Sequence, residues 1–317
     1  MVSGSISERP TQKLQLGSAF KNFGLIFLLL VRLLVAGYGI LLLWRYYPGP
    51  SPIGIAFFLG LMIVLFLALP MAPSDSISTL RRCSWWFAYA AGFVAFAILR
   101  SFADNGQTVH YHYPIRFGDG LFGTPAPVYL QHVLPDPSRH DPFTLLMVAT
   151  YISYFVVPTA IALYLARRRP ERFPRYVIAV SIMFMVGLIA YRLFPTAPPW
   201  MASRDGYIPS IYRVTSLIFH PDTYSQGINL VGSNDVGAMP SIHVAETWLA
   251  IFAIRFRGRL ARILGVTYGC MMMFAVVYLG EHWVVDVIAG FSLSCAIWYG
   301  TRTLASVKWP AIRRVFM

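Results

Sequence analysis

Long apolar runs alternate with short polar connections from about residue 24 to residue 304. Runs long enough to cross a hydrocarbon core, roughly 17 to 25 residues, fall at about 24–44, 53–72, 84–102, 143–166, 174–194, 241–256, 260–280 and 283–304. They predict eight spans, of which the sixth is the shortest, and the simplest reading of residues 241–280 is a tight helix pair. The run after the polar residues 1–21 is too long for a signal-peptide core and reads as a retained first span. No repeat or low-complexity tract interrupts the pattern. The expected fold class is all-α, a polytopic membrane helical bundle of about eight transmembrane helices.

The polar connections orient the bundle, because short cytoplasmic loops carry an excess of arginine and lysine. Arg81 and Arg82, then Arg167, Arg168, Arg169, Arg172 and Arg175, then Arg255, Arg257, Arg259 and Arg262, then Lys308, Arg313 and Arg314 occupy every second connection. These connections and both termini are expected on the cytoplasmic side. Residues 103–142, residues 195–240 and the turn around Glu281 then face outward. Arg32, inside the first run, breaks the pattern and reads as a side chain that snorkels or bonds a neighbouring helix.

Composition agrees with this picture and narrows the partners. The chain is 57% hydrophobic and only 12% charged, with a mean hydropathy of +0.59, against roughly 25% charged residues in a soluble domain. A net charge of +13 could suit nucleic acid, but the basic residues lie in short clusters between spans, so no nucleic-acid partner is expected. Cys83, Cys270 and Cys295 lack ligand spacing and read as small buried hydrophobes.

Ionisable groups at the ends of apolar spans are costly unless paired or used. His243, at the start of the sixth run, and His282 with Asp286, at the start of the eighth, share the outward side. His282 and Asp286 are four apart, which on a helix puts them on one face, where the carboxylate can hold one imidazole nitrogen. Two imidazoles and a carboxylate support a double-displacement phosphoryl transfer without a metal. One histidine attacks as nucleophile, and the other donates a proton to the leaving oxygen and later takes one from the acceptor. Ser241, after Pro240, can cap a helix and bond phosphate.

The segment Pro240-Ser241-Ile242-His243, followed by Tyr278-Leu279-Gly280-Glu281-His282 and Asp286, resembles the second and third motifs of the type 2 phosphatidic acid phosphatase superfamily, which shares a helical fold with vanadium haloperoxidases. The resemblance covers about residues 145–305. It implies that His282 is the nucleophile forming a phosphohistidine, Asp286 its orienting carboxylate, His243 the general acid and base, and Ser241 a phosphate-binding hydroxyl. It gives a three-part organisation. Residues 1–142 form an amino-terminal region with three spans and an external loop, 143–305 a catalytic core and 306–317 a basic cytoplasmic tail.

Two departures stand out. Val276 replaces the arginine expected six residues before the nucleophile, and the first motif is degenerate, reading Tyr191-Arg192-Leu193-Phe194-Pro195-Thr196-Ala197-Pro198-Pro199-Trp200. That stretch looks like the branch containing inositol phosphorylceramide synthase, whose members move a headgroup between lipids. A missing positive donor would cost on the order of 3 kcal/mol of transition-state stabilisation. Arg192 is the first candidate to replace it, with Arg204, Arg213 and Arg100 after it. Arg192 could equally anchor a helix end at the headgroups.

Pro198, Pro199 and Trp200 either shape the substrate site or simply break a helix at the interface. Asp235 either bonds an acceptor hydroxyl or shapes a turn. Glu281 either binds an acceptor hydroxyl or points to water. His110, His112, His132 and His140 read as loop residues, and no metal or other cofactor is expected.

The function expected is an integral-membrane lipid phosphotransferase. It would take a lipid substrate from the bilayer and pass its phosphorylated group to an alcohol or lipid acceptor at the outer face of the plasma membrane. A lipid phosphate or polyprenyl diphosphate phosphatase is the alternative, and a noncatalytic lipid-binding protein or transporter is the rival from another class.

Overall fold

The computed structural model describes residues 76–100, 107–139, 141–218 and 235–306. The two expected spans at 24–44 and 53–72 and the basic tail lie outside the described residues, as do Arg32 and His140. Contacts divide the chain after Trp86; of the first unit only Ser76–Trp86 is described, as the opening turns of helix α1 (Ser76–Arg100).

The described residues of the second unit are helices joined by turns and irregular segments, with no strand among them. Two short helices follow the gap after α1, α2 (His112–Phe122) and α3 (Ala126–Val133), in the stretch read from sequence as an external loop. Then come α4 (Pro142–Ile152), α5 (Val157–Arg168) and α6 (Phe173–Leu193). Two short helices, α7 (Pro199–Arg204) and α8 (Val214–Ile218), precede the core helices α9 (Ile242–Ile254), α10 (Arg259–Tyr278) and α11 (Val284–Ser306).

Local chemistry explains several boundaries. Asp141 caps α4 by accepting from the backbone N–H groups of Phe143 and Thr144, and Pro142 fits the first turn, where no backbone donor is needed. The predicted run 143–166 is not one straight helix: a 3-10 turn over Ser153–Phe155 separates α4 from α5, and the axes bend by 46°. The bend turns Tyr151 and Tyr154 inward.

Among the described residues three helices are long and apolar enough to cross a membrane, α6, α10 and Val284–Arg302 of α11, with the bent α4–α5 pair as a fourth. With apolar side chains such as Met185, Ile189, Leu260 and Leu264 exposed on α6 and α10, the protein is a multi-pass membrane protein. Eight spans are not seen among the described residues, which exclude the first two expected runs. The sixth predicted span is a helix of only 13 residues, about 20 Å long against a hydrocarbon core of about 30 Å.

Helix α9 is short because it is the centre of the bundle. It packs on α5, α6, α10 and α11, and ten of its residues are buried, so its apolar surface is met by protein on every side. Cys270, expected to be buried, is exposed on α10.

Two single backbone bridges, joining three segments, organise one end of the bundle in place of a sheet. Thr196 pairs with His110 on one side and with Gly237 on the other. The N–H of His110 donates to Pro195 O (2.9 Å), that of Ala197 to His110 O (3.1 Å) and that of Thr196 to Val236 O (2.7 Å). Three connections far apart in sequence are thereby fixed around one point.

Candidate active site

Ser241 is the N-cap of α9 and its side chain accepts from the Val244 N–H. His243 therefore occupies the first turn, where unsatisfied backbone donors favour an anion nearby. The Ser241 N–H donates to the Asp286 carbonyl at 3.0 Å. Gly290 makes this approach possible, since a Cβ there would stand 2.3 Å from the Ser241 carbonyl oxygen. A backbone contact between α9 and α11 thus fixes the serine segment against the turn that carries the second histidine.

His282 precedes α11 instead of lying within it, because the helix begins at Val284. The N–H groups of Glu281 and His282 both donate to the Val276 carbonyl, at 3.1 and 3.0 Å. The proline-rich stretch clamps the same turn from outside: the Trp200 N–H donates to Gly280 O at 3.1 Å, and the Trp283 indole N–H donates to Ala197 O at 2.7 Å. Pro198 and Pro199 are buried between these anchors.

The two histidines meet. His282 Nε2 is 3.3 Å from His243 Nδ1, and His282 Nδ1 is 2.9 Å from the Ala238 carbonyl oxygen. A carbonyl only accepts, so Nδ1 carries the proton and the lone pair of the neutral ring lies on Nε2. Asp286 is fully buried, and its Oδ2 lies 3.6 Å from His282 Nδ1. The shorter bond of that oxygen is from the Trp283 N–H, at 2.8 Å. Asp286 therefore shapes the turn through the backbone while placing negative charge beside the ring. Tyr151 stacks on His243 with ring centroids 4.5 Å apart, and Tyr154 covers it at 4.3 Å.

Glu281 is buried beside His282. Arg213 donates to its two carboxylate oxygens from Nε and Nη2, at 3.1 and 3.4 Å, and the Thr215 hydroxyl donates at 2.6 Å. The Arg213 guanidinium lies 4.0 Å from the Trp200 ring centre. Gln131 of α3 ties this rim down, donating to Tyr212 O at 3.0 Å and Tyr278 O at 2.8 Å.

Tyr113 reaches Thr196 and, at 3.1 Å, Met239 just before Pro240. Burial pushes its phenol up to about 12; the bond with Thr196 opposes the rise and the charge of Asp286 adds to it. Tyr113 is therefore a neutral donor near the site over ordinary pH.

The remaining residues named from sequence lie further out. Arg192 is exposed at the end of α6, and Asp235 is exposed in the turn before Gly237. Arg204 is exposed and binds Asp205 at 2.8 Å, while Tyr111 donates to the other oxygen of Asp205 at 2.8 Å. His110 and His112 are exposed.

Sequence reasoning did not single out Tyr151, Tyr154, Gln131 or Glu246. Glu246 is one turn into α9 and 1% exposed, bonded to the Tyr154 hydroxyl. Its signal was present, as an acid three residues after His243 in an apolar helix; the tyrosines carried none, because aromatic residues are common in spans.

The PAP2 superfamily model matches residues 129–300, more than half of the chain. Two curated proteins are similar to part of the chain. One is inositol phosphorylceramide synthase of Candida albicans, 26% identical over 143 residues, covering 42% of this chain and 30% of that protein. The other is the catalytic subunit of inositol phosphorylceramide synthase of Saccharomyces cerevisiae, 28% identical over 134 residues, covering 38% of this chain and 32% of that protein. The matches span about a third or less of those relatives. No solved structure matches the chain.

Proposed function

The chain belongs to the PAP2 superfamily, and on that premise we propose that it is a membrane lipid phosphotransferase working through a phosphohistidine on His282. The observation that carries the reading is the bonding of the His282 ring, with Nδ1 on Ala238 O and Nε2 turned to His243. One nitrogen is committed to the backbone, and the nucleophilic one faces a second imidazole.

In the first step His282 Nε2 attacks phosphorus. The bond from phosphorus to the leaving oxygen breaks, and protonated His243 gives that oxygen its proton. In the second step an acceptor hydroxyl attacks the phosphohistidine, neutral His243 takes the hydroxyl proton, and the N–P bond breaks to return neutral His282. Asp286 offsets the positive charge of the phosphorylated ring. Ser241 and the first turn of α9 bond the nonbridging oxygens. At 3.3 Å the two rings leave no room for a phosphoryl group between them, so substrate entry parts them.

Transfer to an alcohol is favoured over transfer to water by the likeness to two synthases and by the proline-rich stretch folded onto the His282 turn. The group moved is then the phosphorylated polar headgroup of one lipid, and the acceptor is the hydroxyl of another. The site lies at the outer face of a plasma membrane, with both termini cytoplasmic, as the arginine distribution indicates. No metal takes part, and turnover persists in chelator.

The test is incubation of the purified protein in lipid nanodiscs with a radiolabelled phospholipid and an alcohol-bearing lipid, followed by acid quench. An acid-labile phosphoprotein and a labelled new lipid are expected. Released phosphate without a new lipid would make the protein a phosphatase. Neither product across a broad lipid panel, with the protein folded, would end the enzymatic reading.

A further inference from the structure

Phosphoryl transfer needs a cation against the nonbridging oxygens, and the positions expected to supply it do not present one to the two histidines. Val276 stands where the resemblance expects arginine, and it is wholly buried. Arg213 is engaged with Glu281, and Arg204 with Asp205. Arg192 is exposed at the end of α6.

Helix α1 carries a stripe at spacings of four, three and four residues: Tyr89, Phe93, Phe96 and Arg100. These positions share one helix face. The first three climb α6 in order. Tyr89 stacks on Tyr176 at 6.2 Å, Phe93 meets Phe184 at 6.0 Å, and Phe96 packs on Phe184 at 4.5 Å and approaches Tyr191 at 6.3 Å. The Tyr191 hydroxyl donates to the Pro240 carbonyl at 3.4 Å. Phe96 and Ile242 also converge over Gly187, 3.7 and 2.7 Å from where a Cβ would be. The next position on the stripe is Arg100, at the level of the turn that carries His243. It lies within electrostatic range of Tyr154, Tyr191 and His243, of which Tyr154 covers His243 and Tyr191 bonds the Pro240 carbonyl.

We propose that Arg100, from a helix outside the matched residues 129–300, is the cation that binds the phosphate oxygens of the lipid headgroup in this site. The inference rests on the phosphoryl-transfer reading for its purpose, but its test needs only a tetrahedral oxyanion.

The full-length protein in phosphatidylcholine nanodiscs is treated with phenylglyoxal, which modifies arginine, with and without orthovanadate or inorganic phosphate, and its peptides are read by mass spectrometry. Either anion should slow modification of Arg100 and leave exposed Arg116 and Arg139 unchanged. Vanadium-51 NMR should show orthovanadate binding weakened about 10- to 100-fold in Arg100→Ala, the loss expected for one charge-assisted bond, with Arg100→Lys retaining part of it. If Arg100→Ala fails to fold, Arg100→Lys and the protection experiment decide.

Equal modification rates with and without anion overturn the inference. So does wild-type affinity in folded Arg100→Ala, or protection of Arg192 or Arg204 in its place. Anion binding through Arg100 without any phosphohistidine would uphold this site and remove the group-transfer reading; a phosphohistidine formed normally in Arg100→Ala would do the reverse.

Discussion

The two histidines of this site are held in opposite ways. His243 belongs to a regular helix that is capped by Ser241 and packed by protein on every side, so its position follows from the bundle core. His282 lies in an irregular turn whose place is set by hydrogen bonds to the carbonyls of Ala197, Gly280 and Val276 and by the neighbouring Glu281–Arg213 pair. The difference assigns separate duties. The helical side supplies a fixed imidazole, shielded by two tyrosines. The turn supplies a ring whose protonated nitrogen is chosen by a carbonyl, with the Asp286 carboxyl beside it.

The largest expected effect breaks the turn's chemistry outright. His282→Ala should abolish turnover and the acid-labile phosphoprotein while the melting temperature stays near wild type. Near-normal activity would take the nucleophile role away from this residue. Asp286→Asn should come next, lowering turnover by orders of magnitude, with the backbone bond from Trp283 kept by the amide oxygen. A variant that is merely unstable, with normal activity per folded molecule, would make Asp286 a structural acid.

Two substitutions sharpen the contrast between helix and turn. Gly290→Ala forces a methyl against the Ser241 carbonyl and should destabilise the protein by about 1–3 kcal/mol, the usual cost of overpacking. It should also disturb His243, read as a fall in both melting temperature and turnover. Unchanged melting would show that α9 and α11 can separate freely there. Arg213→Ala leaves the buried Glu281 carboxylate without its guanidinium. A loss of about 1–3 kcal/mol is expected, and Glu281→Gln in the same chain should recover part of it. Additive losses in a double-mutant cycle would deny the coupling.

The smallest effect lies at the start of α4, on the path to the tyrosines that cover His243. The Thr144 hydroxyl, followed by the N–H groups of Thr144 and Phe143, holds the Asp141 carboxyl below its ordinary range. Its folded value is depressed, so its stabilisation is present above the unfolded value and fades as pH falls through the folded one. Asp141→Ala should lower the melting temperature by a few degrees at neutral pH, and the gap should close under acid. A gap that persists there would assign the effect to something other than the charge.

Much of this was legible in the chain. His243, His282, Asp286 and Ser241 stood out because polar groups at the ends of apolar runs are rare, and their spacing matched a motif. Helices α6, α10 and α11 were legible from run length. The bend between α4 and α5 was not, since an apolar run continues unchanged through Ser153. Run length marked the sixth run as the shortest but not α9 as the core element, because hydropathy cannot tell a helix buried in protein from one facing lipid. Glu281 could be noticed but not placed. Its partners Arg213 and Thr215 are more than sixty positions away.

The sequence alone determined the membrane class, the helical character and which polar side chains stand at the ends of apolar runs, because solvation and local periodicity act on neighbouring residues and leave their mark in order and spacing. Tertiary structure decided the rest. Which imidazole nitrogen is committed to a carbonyl, which carboxylate is paired and which arginine pairs with it all depend on contacts between segments far apart in the chain. Those contacts are set by packing and by the need to satisfy buried backbone groups, and no local pattern records them.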